Sequence, residues 1–188
     1  MTGMTNASGL EATLDLPLPR LIEGRFSNLT AFTDEALFEA CGVRIAFTER
    51  SGGVSEPPYD SLNLGPHVND NPESVRENRR RVCEAFDIDP SRLIVPNQVH
   101  GADVAVCENA GDIAETREFA AEGSDAVVVG CDGVAALLCF ADCAPVIIVA
   151  PSGKFAVAHC GWRGVVYGAW ATAHSTLCEL TGDNPERF

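Results

Sequence analysis

Hydrophobic positions in the first half of the chain are scattered among polar loops, and one segment there has helical spacing. Asn71 precedes a proline that would occupy the first helical position, a typical helix start with asparagine as N-cap. Val75 and Val82 then give this helix an apolar side, and we expect it to end near Asp87. A short β-branched and aromatic run at residues 43–48 predicts a strand before it.

The second half consists mainly of short apolar runs separated by turns that contain glycine, proline or aspartate. These runs predict strands at residues 93–95, 103–107, 126–129, 134–140, 146–150 and 155–158. Several runs are apolar at every position, which favours strands buried on both faces. We therefore expect a sheet with further layers on either side.

The spacing becomes helical again near Gly164. Apolar residues recur every three or four positions from Val166 to Leu180, and Gly182 is a natural stop, so we expect one long amphipathic helix. The sequence shows no repeat and no linker, which predicts a single domain over residues 21–188. Residues 1–20 are rich in Thr, Ala, Leu and Pro without a clear period, and we expect them to be disordered.

Charge and cysteine usage narrow the function classes. The chain has 27 acidic against 13 basic residues, and its net charge of −14 argues against a nucleic-acid partner. Its eight cysteines fall largely in apolar stretches, and the N-terminus has no basic start followed by an apolar run, so we expect a reducing cytoplasm. The longest apolar stretch, 134–151, is interrupted by Asp142 and Pro145 and is too short to span a membrane. The oligomeric state stays open.

Two histidines and one cysteine are candidate metal ligands. His100 and His159 each stand at the end of a predicted strand, where sheets place ligands. Cys143 lies in a polar break, and Pro145 cannot pair regularly in a central strand, so we expect a bulge or turn that exposes the thiol. A His/Cys/His set with one open position is typical of catalytic zinc. The spacing, 43 residues and then 16, matches no local zinc pattern, so a buried cysteine and two hydrogen-bonded histidines remain an alternative.

Blocks of sequence around these residues and in the N-terminal loops resemble the signature of the YfiH family. They are Asn-Gln-Val-His-Gly at 97–101, Ala-Asp-Cys-Ala-Pro at 141–145, Ala-His-Cys-Gly-Trp-Arg-Gly at 158–164, the loops 48–55 and 59–68, and Asn78-Arg79. That family has been labelled a multicopper polyphenol oxidase or laccase domain and later a purine nucleoside phosphorylase. The resemblance covers about residues 44 to 182. It implies an α+β fold, an α-β-β-α sandwich with mixed β-sheets, and a zinc ion held by His100, Cys143 and His159.

The resemblance also implies a purine nucleoside and phosphate as substrates, with adenosine deaminase as a second activity. Arg163 precedes a predicted helix N-terminus and Arg50 lies in a Gly-rich loop, so both are candidate substrate-binding residues together with Asn63. A surface or salt-bridge role is the alternative for each arginine. Asp142 is a candidate catalytic proton carrier, or else a partner that orients a ligand. His67, in a polar loop at the rim, is the other candidate catalytic residue.

The chain departs from the family pattern in two places. Cys160 stands where the family usually has alanine, and it is either a fourth ligand or a small buried side chain. Because side chains alternate along a strand, we expect Cys160 to face away from His159. Family members continue past the last helix with a further strand, whereas this chain stops at Phe188. We therefore expect either a C-terminally truncated form or a substrate pocket that lacks a part.

Other chemistries are compatible with some of the same residues. A multicopper centre consists mostly of imidazoles, and four histidines argue against a copper oxidase. Copper could still occupy the site adventitiously, because it binds such ligands more tightly than zinc. A metal-free cysteine hydrolase with Cys143 as nucleophile and a histidine as base uses the same residues. A non-catalytic nucleoside-binding remnant is the remaining alternative.

Overall fold

The computed structural model describes residues 16–184. Its strands are β1 (Ile22–Phe26), β2 (Leu29–Thr33), β3 (Ala46–Thr48), β4 (Leu93–Ile94), β5 (Val104–Cys107), β6 (Ala126–Val129), β7 (Ala135–Ala136), β8 (Ala144–Val149) and β9 (Phe155–Cys160). Its α-helices are α1 (Glu35–Cys41), α2 (Pro72–Ala85), α3 (Ile113–Gly123), α4 (Trp162–Tyr167) and α5 (Ala169–Thr181). Of the segment expected to be disordered, residues 1–15 lie outside the described residues.

The strands form three sheets. Strands β1, β2 and β3 make an antiparallel sheet, and β4 pairs with β7 in parallel. The largest sheet has the order β5-β6-β9-β8, in which β5 and β6 are parallel and the other neighbours are antiparallel. The chain thus combines separate helices with antiparallel, parallel and mixed sheets, which confirms the predicted α+β class.

Three apolar clusters join these elements into layers. Leu177 of α5 packs on one face of the large sheet against Ala158 of β9 and its neighbours. On the opposite face, Val127 of β6 packs with Ile94 of β4. Behind β4, Val82 of α2 packs with Leu93 and other buried residues. The order α5, large sheet, β4-β7 pair, α2 is the α-β-β-α sandwich that was expected.

The side chains of strand β9 alternate between the two faces of the large sheet. Ala158 and Cys160 belong to the cluster under α5, whereas Val157 belongs to the cluster between the sheets. His159 therefore faces the side opposite to α5, as alternation along a strand requires. Cys160 is 5% exposed and packs with Ala173 and Leu177, in keeping with the small buried side chain that was expected.

The structure corrects several predicted elements. The expected strand at 134–140 is a strand only over Ala135–Ala136. Val134 and Leu137 on either side of it are buried, and the Leu137 amide donates one further hydrogen bond to the Ile94 carbonyl at 2.9 Å. The expected long C-terminal helix is two helices, since Gly168 adopts a left-handed conformation (φ +76°) that ends α4. Pro145 lies inside β8, which tolerates it as the edge strand of its sheet.

Other boundaries shift less. The strand expected at 43–48 pairs only over Ala46–Thr48, and α2 has the expected Asn71 N-cap but ends at Ala85. The C-cap at Gly182 is confirmed, with φ +71°. Within residues 16–184, no helix combines the length with the apolar character that a bilayer crossing requires.

Asn78, fully buried on α2, organises the loop that follows β3. Its side-chain oxygen accepts a hydrogen bond from the Val54 amide at 2.8 Å. Its side-chain nitrogen donates to the Ser55 hydroxyl at 2.9 Å and to the carbonyls of Ser61 (3.1 Å) and Asn63 (2.8 Å). Because loop amides and carbonyls need partners once they are buried, one asparagine fixes the path of residues 54–63.

We expect Asn78→Ala to lower the free energy of unfolding by about 2–4 kcal/mol, because it leaves several buried loop groups without partners. Urea unfolding followed by circular dichroism measures this. Arg76→Ala is the control on the exposed side of the same helix, with an expected loss within about 0.5 kcal/mol. A loss below about 1 kcal/mol for Asn78→Ala would show that the loop holds its path without this side chain.

Candidate metal centre

Strand register brings the three candidate ligands to one edge of the large sheet. His159 stands near the carboxyl end of β9, and Pro145 at the start of β8 pairs with it. Cys143 directly precedes β8, so its thiol lies beside that strand end. His100 belongs to the loop that leads into β5, whose amino end lies at the same edge. The ligand atoms of His100, Cys143 and His159 all lie within 4.8 Å of one another.

A buried carboxylate, Asp125, connects two of these segments. Its oxygens accept hydrogen bonds from the backbone amides of Val99 (3.1 Å), His100 (2.9 Å) and Gly101 (2.6 Å). One of the same oxygens lies 2.7 Å from Nδ1 of His159. The side chain is completely buried, immediately before β6. Asp125 thereby fixes the loop that carries His100 and the ring of His159 with a single group.

The charge state of Asp125 follows from these contacts. Burial by itself raises the pKa of this carboxyl, but the hydrogen bonds from His159 and from the three amides outweigh burial and hold the pKa below its ordinary value. The carboxylate is therefore ionised at neutral pH. Its contribution to stability is present above the unfolded-state pKa and is lost as the pH falls through the lowered pKa.

The orientation of His159 suits a metal ligand. With Nδ1 hydrogen-bonded to a carboxylate, Nε2 is the nitrogen left to bind a metal, and such a carboxylate partner also raises the basicity of the ligand. The backbone amide of His159 donates to the Asp125 carbonyl at 2.7 Å, so both the strand and the side chain fix the ring. The His159 ring packs edge-on to the His100 ring, with centroids 4.7 Å apart.

Close backbone approach completes the cluster. His100 has a left-handed backbone (φ +60°), which is supported by the hydrogen bond that its amide donates to the Asp125 carboxylate. A Cβ atom at Gly161 would lie 3.0 Å from the Cys143 sulfur and 3.1 Å from Cδ2 of His100. Glycine at 161 therefore allows the chain after β9 to pass directly beside two of the candidate ligands.

Gln98 ties the His100 loop to the segment that precedes Cys143. Its side-chain nitrogen donates to the Cys139 carbonyl at 2.8 Å, and its side-chain oxygen accepts from the Cys139 amide at 2.7 Å. The next residue, Phe140, packs against the His159 ring at 5.6 Å between centroids. The segment that would otherwise lack backbone pairing is thus held by one amide side chain and one aromatic contact.

The donor set and its geometry fit a zinc ion. Two imidazole nitrogens and one thiolate are ligands that zinc prefers, and three protein ligands leave one position open. Bonds of about 2.0–2.3 Å in a tetrahedron put ligand atoms about 3.3–3.8 Å apart, so the observed separations, all within 4.8 Å, need only a small closure. His159 is buried, Cys143 half-buried and His100 exposed, so the cluster has one side open to solvent.

The thiol of Cys143 is not activated by the protein alone. Burial, the Asp142 carboxylate and Asp125 raise its pKa above the ordinary value. An acidic neighbourhood of this kind disfavours a free thiolate nucleophile, which needs a lowered pKa. The same acidic neighbourhood favours a bound cation, and a metal-bound thiol is deprotonated.

The remaining predicted residues have different surroundings. Asp142 is exposed, and Cys143 donates to its carboxylate at 3.9 Å. Arg50 donates to the carbonyls of Asp60 (2.8 Å) and Pro58 (3.4 Å), which stabilises its own loop. Its guanidinium therefore already uses part of its hydrogen-bonding capacity within its own loop.

Asn63, His67 and Arg163 complete the predicted set. The Asn63 side chain donates hydrogen bonds to the Gly65 carbonyl and the Asp70 carboxylate and accepts one from the Gly65 amide, and these bonds stabilise the turn. His67 lies exposed on the short 3₁₀ helix Pro66–Val68. Arg163 is exposed on the six-residue α4, where its guanidinium lies 5.2 Å over the Trp162 ring. Among residues 16–184, His67 and Arg163 have no hydrogen bond to the metal cluster.

A cleft of about 1190 Å³ adjoins the cluster. Its lining includes Arg50, Tyr59, Asn63, Leu64, Cys139, Phe140 and Ala141. The three candidate ligands do not line it, so the cleft is not the metal site itself. It reaches the metal site through Phe140, whose ring contacts His159.

Sequence reasoning did not single out Asp125 or Gln98. Asp125 directly precedes a strand that is apolar at every position, and a carboxylate at such a point was the available signal for a buried functional group. Gln98 lies inside the block around His100, but an amide side chain that pairs with distant backbone has no signature in spacing. Both residues position ligands rather than provide them.

We expect Asp125→Asn to weaken Zn²⁺ or Co²⁺ binding by about 10–100-fold, because the substitution removes the charge that orients and polarises His159. Competition with a chromophoric chelator measures the dissociation constant. Asp103→Asn is the matched control, since only the backbone carbonyl of Asp103 bonds the Asp125 segment. Unchanged metal affinity in a folded Asp125→Asn variant would remove Asp125 from the metal site.

Comparisons with known proteins identify the family of the chain. The family whose model matches is described as multi-copper polyphenol oxidoreductase laccase, and the match covers residues 44–188. A purine nucleoside phosphorylase of Streptomyces coelicolor is 42% identical over 149 residues, covering 78% of this chain and 59% of the relative. The purine nucleoside phosphorylase YfiH of Escherichia coli is 39% identical over 148 residues, covering 78% of this chain and 56% of the relative. The chain thus spans little more than half the length of these relatives.

Solved structures show the same fold. The crystal structure of YlmD from Geobacillus stearothermophilus matches with a TM-score of 0.68 at 29% identity, covering 93% of this chain and 62% of that one. A Neisseria meningitidis protein matches with a TM-score of 0.61 at 31% identity, covering 84% and 57%. By its sequence match, its relatives and its fold, the chain belongs to the YfiH family, whose model bears the laccase description.

Proposed function

We propose that this protein is a zinc-dependent purine nucleoside phosphorylase, which converts a purine nucleoside and phosphate to a free purine and ribose 1-phosphate. The observation that carries the proposal is the cluster of His100, Cys143 and His159 at a sheet edge, with Asp125 behind it. The relatives named purine nucleoside phosphorylases support the reaction class. Because the chain spans only part of those relatives, the activity of this chain is an inference from them.

Zinc is the metal that the donor set favours. A zinc ion held by these three residues would provide a positive charge that polarises a bound oxygen or nitrogen. Copper binds similar nitrogen and sulfur ligands, so adventitious copper is compatible with the same site. The four histidines of the chain are too few for a multicopper centre, and copper oxidase activity is therefore not proposed.

Phosphorolysis requires the protein to position two substrates and to supply one proton. A phosphate oxygen forms a bond to the anomeric carbon of ribose, and the bond from that carbon to the purine nitrogen breaks. The electron pair leaves with the purine, which then takes up a proton. We assign this proton transfer to Asp142 or His67. Asp142 lies beside Cys143 at the open side of the cluster, and His67 lies on the loop that follows the cleft residue Asn63.

The cleft supports the substrate assignment. It is lined by apolar and aromatic groups together with Arg50 and Asn63, a composition suited to a purine and its ribose. Arg163, exposed beside Trp162, is the third proposed substrate contact. The free thiols, buried or half-buried in the fold, support a reducing compartment, and we propose the cytoplasm.

Two other activities use the same residues. Adenosine deamination needs a water nucleophile instead of phosphate and is a second candidate activity of the site. A metal-free cysteine hydrolase would use Cys143, but burial and then the Asp142 carboxylate raise the pKa of that thiol, which argues against it. A non-catalytic nucleoside-binding remnant would bind substrate without turnover.

We expect the zinc-loaded protein to release free base from adenosine, inosine or guanosine only when phosphate is present. Chromatographic separation of base and nucleoside measures the reaction. Cys143→Ala should lower kcat by about a hundredfold or more, because it removes a metal ligand. Cys160→Ala is the matched control, since that thiol faces α5, and it should retain turnover within about twofold.

Each alternative has its own result in the same assay. Conversion of adenosine to inosine without phosphate would replace phosphorolysis by deamination. Full activity after exhaustive chelation would favour the cysteine hydrolase. Nucleoside binding without any turnover by zinc-loaded protein would contradict an enzymatic role for this chain.

A further inference from the structure

Two cysteines lie at the ends of neighbouring strands in the large sheet. Cys107 is the last residue of β5, and Cys131 comes two residues after the end of β6. The two strands are parallel, with Cys107 opposite Val129, and the Gly130 amide donates to the Cys107 carbonyl at 2.8 Å. The backbone therefore holds the two cysteines side by side, although 24 positions separate them in sequence.

The two thiols also point to the same side of the sheet. Val129 shares a face with its partner Cys107, and Cys131 follows Val129 by two residues, so alternation directs all three side chains alike. Cys107 and Val129 belong to the apolar cluster between the sheets, and Cys131 packs against that cluster. The Sγ atoms of the two cysteines lie 3.9 Å apart. A disulfide bond of about 2.0 Å needs a closure on the scale of a side-chain rotation.

Exposure distinguishes the two thiols. Cys107 is 0% exposed, and burial, followed by the hydrogen bond with Cys131, raises the pKa of its thiol to about 11. Cys131 is half-buried and lines the cleft together with Asp132 and Gly133. A solute in the cleft therefore meets the sulfur of Cys131, with the sulfur of Cys107 directly behind it.

We propose that Cys107 and Cys131 are a redox-active pair that forms a reversible disulfide when a low-molecular-weight disulfide enters the cleft. Neither thiol belongs to the candidate metal ligands, so the inference goes beyond the proposed function and does not rest on it. In a reducing compartment both thiols stay reduced, and the disulfide forms when the ratio of small disulfide to small thiol rises.

Two thiol–disulfide exchanges account for the reaction. The Cys131 sulfur, as thiolate, attacks one sulfur of the small disulfide, so that a mixed disulfide forms and one small thiol leaves. The Cys107 sulfur, after losing its proton, attacks the Cys131 sulfur, and the second small thiol leaves with the electron pair of the broken bond and takes up a proton. Two protein thiols are thereby oxidised, and one small disulfide is reduced to two thiols.

Proximity makes the second exchange feasible. The raised pKa of Cys107 leaves only a small fraction as thiolate at neutral pH, which slows attack on any partner from solution. The Cys131 sulfur is 3.9 Å away in the same chain, so this attack is intramolecular and gains a high effective concentration. The product also protects both sulfurs from irreversible oxidation, because a disulfide is reduced again by small thiols.

Peptide mapping of the full zinc-loaded chain, after equilibration with oxidised and reduced glutathione, tests the proposal. Samples are quenched with acid, remaining thiols are alkylated, and trypsin cleaves after Arg117, which separates the two cysteines. We expect two of the eight thiols to be lost, with fragment spectra that link Cys107 to Cys131, and dithiothreitol to restore both.

Cys41→Ser is the matched control. Cys41 is also half-buried and lines the same cleft, but its thiol donates to the Leu37 carbonyl at 3.3 Å. This variant should form the link between Cys107 and Cys131 to an extent within about twofold of the wild type. A loss of the link in Cys41→Ser would contradict the assignment of the pair.

Single variants test the order of the two exchanges. Cys107→Ala should retain one glutathione on Cys131, because the thiol that displaces it is absent, whereas Cys131→Ser should leave Cys107 unmodified. A wild-type chain that carries glutathione on Cys131 without a link to Cys107 would overturn the proposal. So would a link between other cysteines in its place, or eight free thiols in fully oxidised glutathione. Formation of the expected link in a chain that releases no free base would uphold the redox pair and contradict only phosphorolysis.

Discussion

The candidate metal centre depends on one buried carboxylate. Asp125 accepts hydrogen bonds from three consecutive amides of the His100 loop and from the imidazole of His159. A buried charge of this kind is tolerated only when its oxygens are fully hydrogen-bonded, so the loop and the strand end must keep their mutual positions. The fold around Asp125 is therefore stable only when His100 and His159 keep these positions.

The layered scaffold explains why the site lies where it does. Strands β5, β6, β8 and β9 end or begin at one edge of the large sheet, and the β4-β7 pair and α2 form the wall opposite α5. The cleft opens within that wall and meets the metal cluster at Phe140. The candidate metal ligands thus lie beside one end of the cleft. A metal cation bound there would reduce the repulsion that this acidic chain would otherwise exert on an anion.

Sequence patterns predicted the parts of the fold that depend on local rules. The Asn71 cap, the Gly182 stop and the fully buried β6 follow from capping and from uninterrupted apolar runs. The break of the C-terminal helix at Gly168 was missed, because the apolar period continues across a glycine that the backbone uses in a left-handed conformation. The segment at 134–140 was predicted as a strand because burial alone gives the same pattern as strand pairing.

The same contrast applies to the site. Sequence spacing could not predict that His100, Cys143 and His159 lie close together, because their proximity depends on the register of β8 and β9. The family resemblance was what indicated them as one set of metal ligands. Asp125 and Gln98 act through contacts with residues distant in sequence, and such contacts leave no periodic signal. What local patterns can predict is the set of candidate donors, while the groups that orient them emerge only from the folded chain.

We propose that His100, Cys143 and His159 hold one zinc ion. Zinc-edge X-ray absorption spectroscopy of the fully loaded protein tests it most directly. We expect one sulfur ligand at about 2.3 Å and two imidazole nitrogens at about 2.0–2.1 Å, with the sulfur shell lost in Cys143→Ala and retained in Cys160→Ala. A spectrum without sulfur, or one in which two sulfurs bind the metal, would contradict this assignment of ligands.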